Sequence, residues 1–290
     1  ALGGLIFAYL GLEPAPLLPR YDLFVDSGLV RDIGHALIPC NWLQIMENSV
    51  DPHHVEWLHG EQLALERARR GLPPPRFYGK RHEKVGFDLF RYGIIKRRVL
   101  EGGSEEDDDW KIGHPLLFPG TLRVGSRGAA TFQIRVPVDD TTTWHIWYSG
   151  FAAPPGTLPQ KSIPYYEVPF RDARGQLLTD FIDGQDIMVW LNQGPIADRT
   201  REKLVETDAG LIFLRRLLFQ QLERVAQGQD PIGIVRDPVE NQRIALPQED
   251  NKYGGGAAFS LEYLELGHFR YSPMRDALRQ LLAPPVRAAG

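Results

Sequence analysis

The stretch Cys40-Asn41-Trp42-Leu43-Gln44-Ile45-Met46-Glu47-Asn48-Ser49-Val50-Asp51-Pro52-His53-His54-Val55-Glu56-Trp57-Leu58-His59-Gly60 concentrates the chain's metal-binding potential. Three of the eight histidines fall within seven residues, beside Asn48, Asp51 and Glu56. Neutral imidazoles are the commonest transition-metal ligands, and carboxylates fill the remaining positions. Two histidines and one carboxylate on one face of a ferrous ion leave positions open for dioxygen, the site type of non-haem iron oxygenases.

Spacing alone leaves the choice of histidines open. His54 and His59 are five residues apart, about 140° round an ideal helix. His53 and His59 are six apart, about 120° in the other direction. Gly60 reads as a helix stop, which would leave His59 at a loosened end, free to swing round. Pro52 either starts a new helix with Asp51 as its N-cap or kinks a longer one. Asp51 and His54, three apart, face the same way, so Asp51 could hold the ring nitrogen that a metal does not use. Two other classes compete with an iron site: a metal-free module binding a hydrophobic ligand, and a zinc-dependent hydrolase. Against the second, H-E-x-x-H is absent and no glutamate directly follows a histidine in this segment.

The elements that must position these residues are legible in outline. Residues 41–59 read as helix. Strand patterns cover 29–39, 92–100, 115–125, 129–138 and 142–151, with Asp139-Asp140-Thr141 as the turn of a hairpin. Residues 198–227 read as a helix carrying Leu211, Leu214, Leu217, Leu218, Leu222 and Val225 at three- and four-residue steps, ended by Gly228. A last helix fits 272–283, stopped by Pro284. Within the apolar run 1–12, residues 4–11 read as a buried strand with a glycine at each end. Residues 13–20 are a proline-rich connector, 61–84 a basic loop-like excursion, 101–109 a solvated acidic turn, and 152–184 irregular. Strands mixed with a few helices, without βαβ alternation, predict an α+β fold with an antiparallel sheet and helices packed on one side. Neither G-x-G-x-x-G nor a P-loop is present, so direct dinucleotide or ATP binding is not expected.

Composition narrows the function classes. The 290 residues are 43% hydrophobic and 24% charged, enough to bury a core. A net charge of −4 gives no nucleic-acid footprint. The first apolar run is too short to span a bilayer, and no basic residue precedes it as in a secretory signal. Cys40 is the one cysteine, so an internal disulfide, a four-cysteine zinc site and a thiolate-held iron–sulfur cluster are excluded from this chain. A reducing, cytoplasmic setting follows as the default. Opening on Ala1 in an apolar run, the chain reads as a piece of something longer.

Single residues outside the cluster carry bland and sharp readings. Trp144, His145, Trp147, Tyr148 and Phe151 suit core packing, or the wall of an aromatic pocket. His114 reads as a loop histidine, with a polar pocket group as the alternative. Arg199 and Arg201 suit pairing with nearby acids, or recognition of a substrate carboxylate. Cys40 reads as a small buried residue.

Asn48, Asp51, His54 and His59 form Asn-x-x-Asp-x-x-His-x-x-x-x-His, which resembles the iron-binding motif of Rieske non-haem iron oxygenases. These are the α subunits of aromatic-ring hydroxylating dioxygenases and related demethylating monooxygenases. The flanking Cys-Asn-Trp-Leu-Gln and Glu-Asn-Ser-Val-Asp are similar too. Gly4-Leu5-Ile6-Phe7-Ala8-Tyr9-Leu10-Gly11 resembles the end of the family's Rieske domain. Gln193-Gly194-Pro195-Ile196-Ala197-Asp198-Arg199 resembles the phthalate-dioxygenase and vanillate-demethylase branch.

The resemblance implies a helix-grip fold, an antiparallel sheet wrapping a long helix. It implies His54 and His59 as ligands of Fe(II), with a remote aspartate as the third. Asp186 in Gly184-Gln185-Asp186-Ile187 matches best, Asp183 next and Asp180 last; for Asp186 the structural alternative is a helix N-cap. It further implies that Asp51 bridges electron transfer between subunits of a homotrimer and that Asn48 lies near the iron. His53 has no role in the family. Residues 1–18 would be the remnant of a Rieske domain and its linker, and 19–290 the mononuclear-iron domain. The implied reaction is hydroxylation of an aromatic or related apolar substrate with O2, by dioxygenation or oxidative demethylation. Electrons would come from NADH through a reductase or ferredoxin and a Rieske [2Fe–2S] cluster. One cysteine cannot hold that cluster, so it is expected in a domain outside this chain, and turnover by the chain alone is not expected.

Overall fold

The computed structural model describes residues 1–11 and 13–283. Its frame is one eight-stranded sheet. The strands are β1 (Leu29–Ile38), β2 (His82–Phe90), β3 (Gly93–Leu100), β4 (His114–Leu117), β5 (Thr121–Ser126), β6 (Ala129–Asp139), β7 (Thr142–Ala152) and β8 (Tyr165–Glu167), in the order β2-β3-β4-β5-β6-β7-β1-β8. Every pairing is antiparallel except β1 with the short β8. The β6–β7 hairpin turns where the sequence predicts. Asp139 Oδ1 accepts from the Thr141 amide at 2.8 Å, an Asx turn that reverses the chain.

The sheet is covered on both faces, by different material. Ile33, Phe132, Ile146 and Tyr148 pack against Leu23 and Phe24 of α1 (Asp22–Val25) and against Val235, Ile244 and Leu246 of an extended strap. On the opposite face Trp147, Ala36 and Ile38 meet Ile187 and Trp190 of α5 (Ile182–Asn192). Phe151 packs with Phe259 and Tyr263 of α7 (Ala257–Leu266) and Leu278 of α8 (Arg275–Leu282). Successive side chains of a strand point to opposite faces. Double cover therefore explains why Ile146, Trp147 and Tyr148 are all buried in sequence. Met46 and Val50 of α2 (Trp42–Val50) wedge between Ile94, Leu116 and Leu122 of the sheet and Leu214 and Leu217 of α6 (Ala209–Ala226). The helix that carries the histidines is thereby fixed to the sheet.

The α+β class with an antiparallel sheet stands as expected; several elements differ. Residues 1–11 form no strand. Gly3 and Gly4 adopt φ of +59° and +88°, which folds the run into a turn closed by a Leu2–Leu5 bridge. Ile6 and Leu10 consequently stay exposed. The 61–84 excursion begins as helix, with α3 at Leu63–Ala68, and β2 starts at His82. The 115–125 strand is two strands joined at residues 118–120. Asp109 leaves the acidic turn for the core, in α4 (Asp108–Lys111), because Arg98 needs a buried counter-ion. The 198–227 helix starts only at Ala209, and Leu222 and Val225 face outward. Sequence periodicity shows neither α7 nor β8. The last helix ends at Leu282; Pro284 lies outside the described residues. Among the described residues no helix is long and apolar enough to cross a membrane.

Candidate metal centre

The histidine segment is built in three pieces. Asn41 caps α2 by accepting from the Leu43 amide at 2.9 Å. The helix ends at Val50. Asp51 then accepts from the amides of His53 (2.8 Å) and His54 (3.1 Å), so it caps the next helical turn with Pro52 inside it. That turn opens a π-helix, Val55–Gln62, which runs straight into α3. Gly60 does not stop the helix. Its role is close packing: a Cβ there would lie 2.8 Å from the Tyr78 carbonyl oxygen.

The π-helix resolves the spacing problem. Its hydrogen bonds join residues five apart, so His54 and His59 stand nearly one above the other instead of on different faces. Their rings are 5.3 Å apart at 82°. Asp186 reaches them from α5. Its Oδ1 lies 3.2 Å from His59 Nε2 and 3.8 Å from His54 Nε2, and one ligand atom from each residue falls within 4.8 Å of the others. Asp186 Oδ1 is buried and has no hydrogen-bond partner. A buried carboxylate oxygen facing two imidazole nitrogens is an arrangement that a cation satisfies. These residues fit a divalent metal.

The three candidate aspartates separate cleanly. Asp186 sits inside α5 and is no N-cap. Asp183 is consumed structurally: it accepts from Trp147 Nε1 and from the His268 amide, both at 2.7 Å. Asp180 pairs with Arg70 and Arg270. His53 stands outside the triad, paired with Glu56.

One positioning residue escaped the sequence reading. His59 Nδ1 lies 3.1 Å from Gln185 Oε1, which can only accept. A proton on Nδ1 is held by this oxygen, which leaves Nε2, facing Asp186, as the atom a metal would take. Burial resists a charged His59, but Asp186, Gln185 and Asp183 outweigh it and raise its pKa. Asp51 Oδ2 approaches His54 Nδ1 to 3.5 Å. Burial pushes the Asp51 carboxyl up. The His54 ring, the His53 amide and Lys96 overcome that and hold it at about 2. The signal for Gln185 was its adjacency to Asp186, meaningful only once α5 faces the π-helix.

Two spaces flank the triad. Inward lies a small cavity of about 70 Å³ walled by Tyr78, Leu122, Val124, Phe259 and Tyr263 among others. Outward lies an open groove lined by Asp51, Trp57, Met188 and Leu211. Asn48 and His54 border both. Polar groups reach the cavity as well. Lys96 Nζ donates to the Ser49 carbonyl oxygen at 2.7 Å, closing the C-terminal end of α2. Arg98 is held by Asp109, Glu249 and Tyr253. His114 is a buried strand residue on the cavity wall, not a loop histidine. Trp144, His145, Trp147, Tyr148 and Phe151 do not line this cavity. Arg199 is engaged by Glu47 and Glu202, Arg201 is exposed, and Cys40 is buried.

Comparison with known proteins finds oxygenase subunits similar in sequence. The chain is 38% identical over 249 residues to the 5,5'-dehydrodivanillate O-demethylase oxygenase subunit of Sphingobium sp. (strain NBRC 103272 / SYK-6), covering 85% of this chain and 57% of that one. It is 44% identical over 280 residues to the tert-butanol monooxygenase / tert-amyl alcohol desaturase oxygenase subunit of Aquincola tertiaricarbonis, covering 86% and 57%. Among solved structures, NdmA of Pseudomonas putida CBB5 aligns with a TM-score of 0.45 at 16% identity, over 75% of this chain and 57% of that one. Both of the sequence relatives carry the name of an oxygenase subunit, and each matches most of this chain. Residues 178–248, which include α5 and Asp186, match the family model described as LigXa C-terminal domain like. The chain spans 57% of the length of both relatives named here.

Proposed function

We propose that this chain is the oxygen-activating part of an oxygenase component, holding one Fe(II) through His54, His59 and Asp186. The convergence of these three side chains on one point, with Asp186 Oδ1 buried and otherwise unpartnered, carries the reading. Bound there, ferrous iron supplies the redox chemistry that activates dioxygen. The chain's own residues do the rest. Gln185 fixes the tautomer of His59. The apolar wall of Tyr78, Leu122, Val124 and Phe259 excludes water and receives an aromatic or similarly apolar substrate, which is hydroxylated or demethylated. Asp51, on the groove side of His54, is the entry point for electrons, and Asn48 borders the iron from both spaces.

The electrons come from NADH through a reductase or ferredoxin and a Rieske [2Fe–2S] cluster on residues other than these 290, in a homotrimer. Residues 1–18 belong with the cluster-bearing part, and 19–290 form the iron domain. The test is anaerobic loading of the metal-free chain with Fe(II), followed by gel filtration and metal analysis. One tightly held iron is expected, lost in His54→Ala and in Asp186→Ala. If wild type and variants retain the same iron, or none, the reading fails, and a metal-free ligand-binding module takes its place. Hydrolytic activity restored by Zn(II) rather than Fe(II) would replace it with a zinc hydrolase.

A further inference from the structure

His53, left out of the triad, joins a second constellation. Its Nδ1 lies 3.1 Å from Glu56 Oε1. His82, the first residue of β2, brings its Nδ1 to 3.8 Å from Glu56 Oε2. The two imidazole rings are 5.3 Å apart. One ligand atom from each residue lies within 4.8 Å of the others. The triad's separations of 3.2 and 3.8 Å run to a single oxygen of Asp186, whereas Glu56 meets the two histidines of this cluster with different oxygens. Tetrahedral zinc with bonds of about 2.1 Å places its ligand atoms roughly 3.4 Å apart, between the two distances found here.

A second observation points to a missing partner. The His82 side chain is 1% exposed, yet neither ring nitrogen has a hydrogen bond. Buried polar groups in folded proteins are normally satisfied, and an orphaned pair on one ring calls for a water or an ion. Burial, with Arg98, His53 and Lys96 adding to it, holds His82 near a pKa of about 2. It is therefore neutral, the form that ligates metals.

We propose that His53, Glu56 and His82 form a second site, for a divalent transition metal of the zinc type, separate from the iron triad. His53 and Glu56 flank His54 at the entrance of the π-helix, and His82 belongs to the sheet. A metal bound to all three would staple the turn that aims His54 onto β2. It is a positioning site and touches no substrate. Two effects work against it. The Arg81 guanidinium lies 3.9 Å from Glu56 Oε2, and Arg98 and Lys96 add positive potential. Arg81 also pairs with Glu61 and stacks on Trp57, so it has partners to keep when a metal takes Glu56. The site is consequently weaker than the same ligands in neutral surroundings. The competing account is a metal-free His–Glu–His hydrogen-bonded cluster.

Anaerobic titration of the metal-free 290-residue chain with Co(II), read by calorimetry and by visible ligand-field bands, tests the proposal. Two equivalents are expected in wild type. His54→Ala/His59→Ala keeps one, with tetrahedral bands, and adding His82→Ala removes it. His82→Ala alone keeps only the triad's equivalent; circular dichroism checks that each variant folds. The proposal is overturned by a wild-type chain that loses all bound cobalt in His54→Ala/His59→Ala. It is equally overturned by a second equivalent that survives His82→Ala combined with Glu56→Gln. An intact His82-dependent equivalent beside an inert triad would sink the iron reading and leave this one standing.

Discussion

Gly60→Ala is the sharpest probe of how the fold sets the candidate metal centre. Helix propensity favours the change: alanine in place of glycine inside a helix gains about 0.5–1 kcal/mol. Packing opposes it. The new Cβ would lie 2.8 Å from the Tyr78 carbonyl oxygen and 2.9 Å from Gly79 Cα, both backbone atoms. Ordinary contact begins near 3.4 Å, so the π-helix and the 78–79 segment must part by about 0.6 Å. Overpacking of this kind costs about 1–3 kcal/mol. The clash outweighs the propensity gain, and a net loss of about 1–2 kcal/mol follows, roughly 2–4 °C in Tm. Because His59 is the preceding residue, the displacement also exceeds the roughly 0.5 Å tolerance of a preorganised site. Weaker Fe(II) retention is therefore expected. Urea denaturation of the metal-free chain gives the first number, and competition with a chelator gives the second. A variant as stable as wild type that holds iron equally well would refute the packing account of Gly60 and, with it, the claim that this contact sets the position of His59.

Three further outcomes follow from the same geometry. Asp183→Ala strands Trp147 Nε1 and the His268 amide in the core and should cost about 3 kcal/mol by urea denaturation, whereas Asp186→Ala should spare stability and abolish iron binding; the reverse pattern would exchange their roles. Gln185→Leu frees the His59 tautomer and should weaken Fe(II) affinity by about 10–100-fold, with Gln185→Asn retaining more than the leucine variant; equal affinities would dismiss the tautomer argument. His145 and His114 are both held well below their ordinary pKa, in each case first by burial, then by Arg135 for His145 and by Lys252 for His114. Their folded states bind fewer protons than the unfolded chain, so stability is full above about pH 6.5 and falls as pH drops below it. The expected slope is about 1.4 kcal/mol per pH unit for each histidine. His145→Phe should halve this two-histidine contribution in urea titrations at pH 7, 6 and 5, and an unchanged slope would show that His145 is not buried neutral.

Much of the site was written in local sequence, because its reporters are close together along the chain. Imidazoles and carboxylates within Asn48–His59 make a metal site a candidate by residue type, and Asp51-Pro52 marks a helix start by its capping chemistry. The strand residues of β6 and β7 were legible because a two-residue alternation and an Asx turn are local signals. Tertiary structure decided the remainder. Whether His54 and His59 share a face depends on π-helical winding, a departure from the 3.6-residue period that no pattern in residues 55–62 announces. Asp186 is distinguished from Asp183 only by what meets each one, since Trp147 and His268 claim Asp183 from elements 36 and 85 residues away. Gly60 looked like a helix stop because its real partner, the backbone at Tyr78, comes from a segment that the helix itself must first bring near. Likewise the outward-facing Leu222 and the buried Asp109 defied their residue types: packing area and counter-ions are set by neighbours in space, and hydropathy read along a chain does not contain them.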